Sequence, residues 1–214
     1  MVTLSILDKC CIALDGTLKT FLGGAERSHR ENPGDSFIEN SHSLSQNEKA
    51  LSASLMRVNH CGEVCAQALY QGQALTAKLP AVRQQMHLAA VEENDHLHWC
   101  QQRIQELGGH VSWLNPFFYT GSFAIGAIAG AVGDKWSLGF VAETEKQVVA
   151  HLDSHLEKIP PSDLATQAIV NQMREDEEEH AGKAIEAGAA ELPLVVKKLM
   201  SFTAKVMTRT TYHV

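Results

Sequence analysis

The sequence predicts an all-α protein, built as a four-helix bundle with one additional helix at each end. Several long stretches place apolar residues at alternating steps of three and four, which is the spacing of amphipathic helices. No stretch of comparable length alternates apolar and polar residues as a strand does. The chain has 214 residues, of which 44% are hydrophobic and 20% charged, so we expect one domain over residues 1–214 around one core.

The first two segments of the chain differ sharply in composition. Residues 1–21 carry the apolar stripe of an amphipathic helix, which two glycines end. Residues 22–47 are rich in Ser, Asn, Gly and His and contain Pro33, so they predict a long polar loop.

Residues 48–190 predict the four core helices, and prolines and glycines punctuate them. The expected bounds are Glu48 to Lys78, Pro80 or Ala81 to Leu107, Gly121 to Lys158 with a kink near Gly133, and a fourth helix that Ser162 caps and that reaches Ala190. The segment with Asn115 and Pro116 is interpreted as a loop. Residues 191–214 predict an apolar C-terminal helix.

Charge and cysteine usage exclude several classes of protein. The net charge of −7 argues against nucleic-acid binding, which needs a basic surface. The five cysteines are irregularly spaced and form no CxxC pair, so a disulfide framework is not expected. The N-terminus matches neither a secretory signal nor a transit peptide, and we therefore expect an intracellular protein.

A Glu-x-x-His motif occurs four times, at Glu26/His29, Glu39/His42, Glu93/His96 and Glu177/His180. On a helix this spacing places the carboxylate and the imidazole on one face, where both can bind one metal ion. The first two copies lie in the predicted loop, where no helix would orient them. Only the last two are therefore candidate metal ligands.

The helix turns supply the context for these two motifs. Residues equally far from the turn of a helical hairpin lie at the same height, because both helices rise by about 1.5 Å per residue. Glu63 and Glu93 are placed symmetrically about a point beside Pro80, and Glu145 and Glu177 about Pro160 and Pro161. Each hairpin therefore brings a single glutamate level with a Glu-x-x-His motif.

Two such hairpins would converge four glutamates and two histidines in the bundle centre. This is the ligand set of a di-iron or di-manganese carboxylate site, and the expected ligands are Glu63, Glu93, His96, Glu145, Glu177 and His180. Metal-binding imidazoles usually donate their other N–H to an acceptor. Glu92 and Asp176 directly precede the motif glutamates, so either could reach the histidine of the opposite hairpin. His151 is either a polar surface residue or a proton and substrate contact.

Residues 107–133 contain no charged side chain, which is long enough to raise the question of a membrane span. Polar residues and glycines weaken that interpretation, and the same helix is expected to continue to Glu145 inside the bundle. We therefore expect a hydrophobic mouth or interfacial patch, with residues 192–206 as its second wall. An apolar mouth over a metal site implies a lipophilic substrate.

Four stretches resemble the demethoxyubiquinone hydroxylase family of ubiquinone biosynthesis. They are RVNHCGEVCAQALYQGQAL (57–75), EENDHLHW (92–99), FAIGAIAG with GDKWSLGFVAETEKQV (123–148) and MREDEEEHA (173–181). The resemblance implies a ferritin-like bundle whose di-iron centre uses the six ligands named above. It also implies hydroxylation of a polyprenylated benzoquinol with O₂ and two electrons. The long polar loop and the lack of a transit sequence look bacterial.

The resulting expectation is a di-iron monooxygenase with two iron ions per chain and O₂ as co-substrate. Its electrons would come from NADH, from the quinol or from a partner reductase. The resemblance further implies a peripheral protein on the cytoplasmic face of the bacterial cell membrane, and it allows for protein partners from the same pathway. Two alternatives stay open: a ferritin-like iron-binding or ferroxidase protein without an organic substrate, and a lipid-binding scaffold with a vestigial site.

Overall fold

The computed structural model describes residues 5–22, 26–37 and 44–214. Within these ranges the regular secondary structure is helical, which confirms the predicted all-α class. The helices are α1 (Ile6–Leu22), α2 (Gln46–Thr76), α3 (Pro80–Glu106), α4 (Asn115–Val132), α5 (Asp134–Leu156), α6 (Leu164–Glu186) and α7 (Leu194–Thr211). None of the helices in these ranges is long and apolar enough to cross a membrane.

Helices α2 and α3 form the first hairpin of the bundle, and local contacts define its ends. Ser45 and Glu48 form a capping box, in which each side chain accepts a hydrogen bond from the other residue's backbone N–H. Pro80 stands in the first turn of α3, where its missing N–H costs nothing. The turn between the helices is held from α5, because the Asp134 carboxylate accepts hydrogen bonds from the backbone N–H groups of Lys78 and Leu79 at 3.0 Å.

The predicted single helix from Gly121 to Lys158 is wrong. It is divided at Gly133, whose φ of 143° is a conformation that glycine adopts readily and other residues avoid. Helix α4 also begins earlier, at Asn115, because Pro116 lies in its first turn rather than in a loop.

The cap and the end of the fourth core helix also differ from the prediction. Asp163, not Ser162, is the N-cap of α6, and its side chain accepts a hydrogen bond from the Thr166 backbone N–H. The Ser162 hydroxyl instead donates to Glu48 at 3.1 Å. The helix ends at Glu186, before Ala190, because Gly188 adopts a positive φ of 95°.

Helix α4 packs along the outside of α2, and glycines on both helices allow their backbones to approach closely. A Cβ atom added to Gly72 or Gly126 would overlap backbone atoms of the facing helix. Gly126 and Gly130 therefore allow α4 to pack closely against α2. This contact places the apolar helix α4 beside the bundle rather than inside it.

Gly126→Ala is expected to lower the free energy of unfolding by about 1–3 kcal/mol, the usual cost of forcing extra volume into a packed contact. Gly121→Ala is the matched control in the same helix, because nothing lies within 4 Å of a Cβ built there. It should change stability by less than about 1 kcal/mol, in the stabilising direction. Urea denaturation followed by circular dichroism measures both, and equal stability of the two variants would contradict the close α2–α4 packing.

The bundle core is arranged in layers along α2, α3, α5 and α6. One apolar layer contains Met56, Trp99, Leu152 and Met173. Another contains Tyr70, Met86, Leu138 and Ala184. Each helix contributes one of these residues to each layer, and the acidic residues and histidines predicted as ligands lie between the two positions. A polar layer is therefore enclosed between two apolar ones.

Candidate metal centre

All six residues predicted as metal ligands lie in this polar layer. Helices α2 and α5 each contribute one glutamate, and α3 and α6 each contribute a Glu-x-x-His pair. None of the six is more than 5% exposed: Glu63, Glu93, His96, Glu145, Glu177 and His180. The hairpin symmetry inferred from the sequence is thus seen as a common height in the bundle.

Two glutamates span the space between the two imidazoles. Glu93 places one carboxylate oxygen 3.2 Å from Nδ1 of His96 and the other 3.3 Å from Nδ1 of His180. Glu177 does the same from the opposite hairpin, at 3.2 Å and 3.1 Å. Each of these carboxylates therefore offers one oxygen to each side of the site, which is the arrangement expected of ligands shared between two ions.

The two remaining glutamates, Glu63 and Glu145, differ in their surroundings. Ligand atoms of Glu63, Glu93, His96 and Glu177 all lie within 4.8 Å of one another, close enough to bind one ion. Glu145 is outside that group of four and accepts a hydrogen bond from the Tyr70 hydroxyl. Burial, together with the charges of Glu177 and Glu93, raises its pKa well above the ordinary value.

The outer nitrogens of the imidazoles contact acidic residues of the opposite hairpins. Nε2 of His96 lies 2.8 Å from Asp176, and Nε2 of His180 lies 2.6 Å from Glu92. A proton on each Nε2 satisfies these contacts and leaves Nδ1 free to face the centre. These are the cross-hairpin contacts expected for Glu92 and Asp176, and their role in orienting metal-binding imidazoles stays a prediction.

The charges of the cluster fit bound cations. Burial and the charge of Glu93 raise the pKa of Glu63 well above its ordinary value, because carboxylates this close repel one another. Glu93 Oε1 is buried and makes no hydrogen bond of good geometry, although His180 Nδ1 is 3.3 Å away. Divalent cations would neutralise the carboxylates and bind this unpaired oxygen, so the residues present fit a metal centre.

His151, the remaining candidate residue, lies outside this cluster. His151 lies six residues beyond Glu145 on α5, where its ring packs against His155 with centroids 4.0 Å apart. Burial lowers the pKa of His151 to about 4 and that of His155 to about 3, so both rings are neutral at neutral pH. A proton or substrate contact of His151 stays a prediction.

The two loop copies of the motif are not part of the centre as far as the structure describes them. Glu26 and His29 lie in the segment 26–37 and are exposed, and Glu39 with His42 lies outside the described residues.

Two residues beside the centre were missed by the sequence analysis. Tyr70 follows Glu63 by two helical turns, a spacing that could have revealed it, whereas Arg30 has no comparable signal.

A cavity of about 740 Å³ lies between α1, α2 and α3. Its lining includes Ala74, Met86, Ala90 and, from α4, Phe123. Tyr70 also lines the cavity, and its hydroxyl contacts Glu145 on the other side. This cavity corrects the predicted mouth, because residues 192–206 do not line it and residues 107–133 contribute only Phe123. Both stretches expose apolar side chains on outer helix faces, which fits the alternative expectation of an interfacial patch.

Large apolar side chains are exposed on the outer faces of α1, α4 and α7. They include Leu14, Leu18 and Leu22 on α1, Phe117, Ile128 and Val132 on α4, and Val195, Leu199 and Phe202 on α7. Exposed apolar faces of this kind often mark surfaces that bind a protein or a membrane.

Comparison with known proteins assigns the chain to a family. The family model described as "Ubiquinone biosynthesis protein COQ7" matches residues 50–211. The 3-demethoxyubiquinol 3-hydroxylase of Nitrosococcus oceani is 56% identical, over 99% of this chain and 98% of the relative. The enzyme of the same name from Chromobacterium violaceum is 55% identical over 98% of this chain and 100% of the relative. The chain therefore belongs to the COQ7 family of ubiquinone biosynthesis proteins, a family of ferritin-like helical bundles.

Proposed function

We propose that this protein is a 3-demethoxyubiquinol 3-hydroxylase, a monooxygenase that hydroxylates the ring of a polyprenylated demethoxy-benzoquinol with O₂ and two electrons. The observation that carries the proposal is the buried cluster of four glutamates and two histidines, which Tyr70 connects to a cavity because it lines the cavity and donates to Glu145. Relatives of that name that match nearly the whole chain support the substrate class.

Two iron ions per chain are the proposed metals. Glu63, Glu93, His96, Glu145, Glu177 and His180 would hold them, and the carboxylates of Glu93 and Glu177 each lie within 3.3 Å of both imidazoles. Bound iron supplies the capacity to activate O₂, which no side chain of the protein can provide.

The protein's own residues would bind the ring and exclude water. The cavity falls within the size range of small-molecule sites, about 300–1,000 Å³. Tyr70 separates the cavity from the centre and, by donating to Glu145, keeps that carboxylate in one orientation. We propose that the quinol ring lies against Tyr70 and that its tail leaves between α1 and α3. Electrons would arrive from NADH directly, through the quinol, or from a partner reductase.

Oxygen transfer tests the proposed reaction directly. Iron-loaded protein supplied with a demethoxy-benzoquinol, a reductant and isotopically labelled O₂ should release a hydroxylated product with one labelled oxygen atom, measured by mass spectrometry. Iron oxidation without an oxygenated product would favour the ferritin-like alternative. Binding of the quinol that survives removal of the metal, with no product, would favour the lipid-binding scaffold.

Ala74→Phe is expected to raise KM for the quinol by about tenfold or more, because the phenylalanine side chain would fill the cavity between α1 and α2. Bound iron should be unchanged, since Ala74 lies three helical turns from Glu63. Ala50→Phe is the control, on an exposed position of the same helix. Steady-state kinetics compares the two variants. An unchanged KM in folded Ala74→Phe would show that the quinol ring does not bind in this cavity.

We further propose peripheral association with the cytoplasmic face of the cell membrane through the exposed apolar faces of α1 and α4. The exposed apolar face of α7 would be the surface for protein partners of the same pathway. Because the net charge is −7, binding would rest on apolar burial and depend only weakly on salt.

Ile128→Glu is expected to weaken liposome binding and turnover of a long-tailed quinol while sparing a short-tailed, water-soluble analogue. Ile128 is 65% exposed, so the variant should fold, which circular dichroism verifies. Gln101→Glu, an equal change of charge on the exposed side of α3, is the control. Unchanged liposome cosedimentation of folded Ile128→Glu would remove α4 from the membrane contact.

A further inference from the structure

Residues 26–37, called the strap below, lie across the outside of the metal centre. Side chains of α3 hold the strap: Asn94 donates to the Glu26 carbonyl oxygen at 2.8 Å, and Asp95 accepts from the His29 backbone N–H at 3.2 Å. Further along, Asn32 donates to Gln102 on α3 at 3.1 Å, and Gly34 packs against Ile169 of α6. The segment predicted as a polar loop is therefore attached to both helices that bear the Glu-x-x-His motifs.

Arg30 is the strap residue that reaches the centre. Its Nη2 atom lies 2.7 Å from Asp176 Oδ2 and 3.2 Å from His96 Nε2. Its guanidinium carbon stands 4.9 Å from the centroid of the Trp99 ring, a distance at which cation and ring attract. The carboxylate oxygen that faces His96 is thus shared with a guanidinium.

The other histidine lacks this arrangement. Glu92 and Asp176 hold equivalent places, since each precedes the motif glutamate of its hairpin and contacts the histidine of the other. Glu92 forms no salt bridge with an arginine within the described residues, and its side chain is 35% exposed, against 11% for Asp176. The two halves of the centre are therefore alike in ligands and different in their outer contacts.

We propose that Arg30 is a positioning residue that holds Asp176 against His96 and thereby makes the two metal positions unequal. Three contacts fix the guanidinium, namely the salt bridges to Asp176 and Asp95 and the Trp99 ring, and the guanidinium fixes the Asp176 carboxylate. A carboxylate shared with Arg30 also gives less negative charge to the imidazole than an unshared one such as Glu92. The proposal rests on the proposed metal centre and not on the proposed substrate.

Titration of metal-free protein with ferrous iron under anaerobic conditions tests this proposal. Loss of an outer contact lowers metal affinity by about 10- to 100-fold, so Arg30→Gln should weaken one of two binding steps by about tenfold or more and leave the other unchanged. Arg30→Lys keeps the positive charge but not the planar guanidinium, so its affinity at that binding step should lie between those of wild type and Arg30→Gln. In Mössbauer spectra of the iron-loaded protein, Arg30→Gln should change the signal of one iron of the pair.

Two control variants separate a positioning role from general damage. Arg174→Gln removes an arginine of similar exposure on α6 that pairs with Asp153 and Glu178, away from the centre. Asn32→Ala loosens the strap at Gln102 while leaving Arg30 intact. Hydrogen exchange of residues 26–37 reports how firmly the strap is attached in each variant.

The proposal is supported if Arg30→Gln alone changes one binding step and one iron signal. It is overturned if Arg30→Gln behaves like Arg174→Gln, or if Asn32→Ala reproduces its effect, since the strap as a whole would then position His96. Wild-type protein that binds fewer than two irons would show that the metal centre itself was wrongly proposed. A lack of hydroxylase activity in wild type, with two irons bound, would affect only the proposed reaction.

Discussion

Replacing Glu177 by glutamine is expected to reduce bound iron from two ions per chain to one or none. Hydroxylation should fall by more than about 100-fold, the upper end of what losing an outer contact costs. The Glu177 carboxylate reaches both imidazoles, at 3.2 Å from His96 Nδ1 and 3.1 Å from His180 Nδ1. A neutral amide of the same size cannot supply the charge that two cations share.

Iron analysis after anaerobic loading, together with product formation per minute, measures this effect. Glu178→Gln is the matched control, because the neighbouring carboxylate is 70% exposed and pairs with Arg174 on the surface. Near-normal iron content and activity would exclude Glu177 from the centre.

His96→Ala and His180→Ala are each expected to abolish turnover. Each imidazole turns Nδ1 toward Glu93 and Glu177 and is held by an acidic residue at Nε2. The six candidate ligands contain only these two nitrogen donors. Removing either ring therefore leaves one side of the centre with carboxylates alone. Single-turnover product formation with added iron measures the loss.

The loop histidines provide the controls for these two variants. His29 has a φ of 59°, so His29→Asn is preferable to alanine there, because asparagine tolerates this backbone conformation. His29→Asn should keep both iron content and turnover, since the His29 side chain is exposed. His42→Ala is also expected to be inert, a prediction that rests on sequence alone. An inactive His29→Asn would contradict the separation of helical motifs from loop motifs.

The ligand cluster could be predicted from sequence because helices have a constant rise per residue. Once Pro80 and the pair Pro160 and Pro161 mark the turns, the heights of Glu63 and Glu145 follow from counting. The outer contacts of the histidines follow from the same register, since Glu92 and Asp176 are one position away from the motif glutamates.

The division at Gly133 could not be predicted, because a glycine inside a helix costs only about 1 kcal/mol and is compatible with either a kink or an end. Pro116 posed the same difficulty, since proline suits both a loop and the first turn of a helix. Tertiary packing decides between these outcomes, and the local sequence pattern carries no information about that packing.

The strap and the cavity lay beyond sequence reasoning for another reason. Arg30 meets Asp176 across 146 positions of the chain, and no periodicity relates a loop residue to a helix so distant. Hydrophobic runs show that apolar surface exists but not whether it lines a cavity. The apolar stretch around Ile128 accordingly became an outer face, and the cavity formed between α1, α2 and α3.

The central claim is that four glutamates and two histidines bind a pair of iron ions, and the most direct test is the iron content of anaerobically loaded, folded protein. Metal analysis after removal of free iron should give about two ions per chain in wild type, the number that this ligand set binds. One ion or fewer per chain, in protein whose circular dichroism shows an intact helical bundle, would contradict the account.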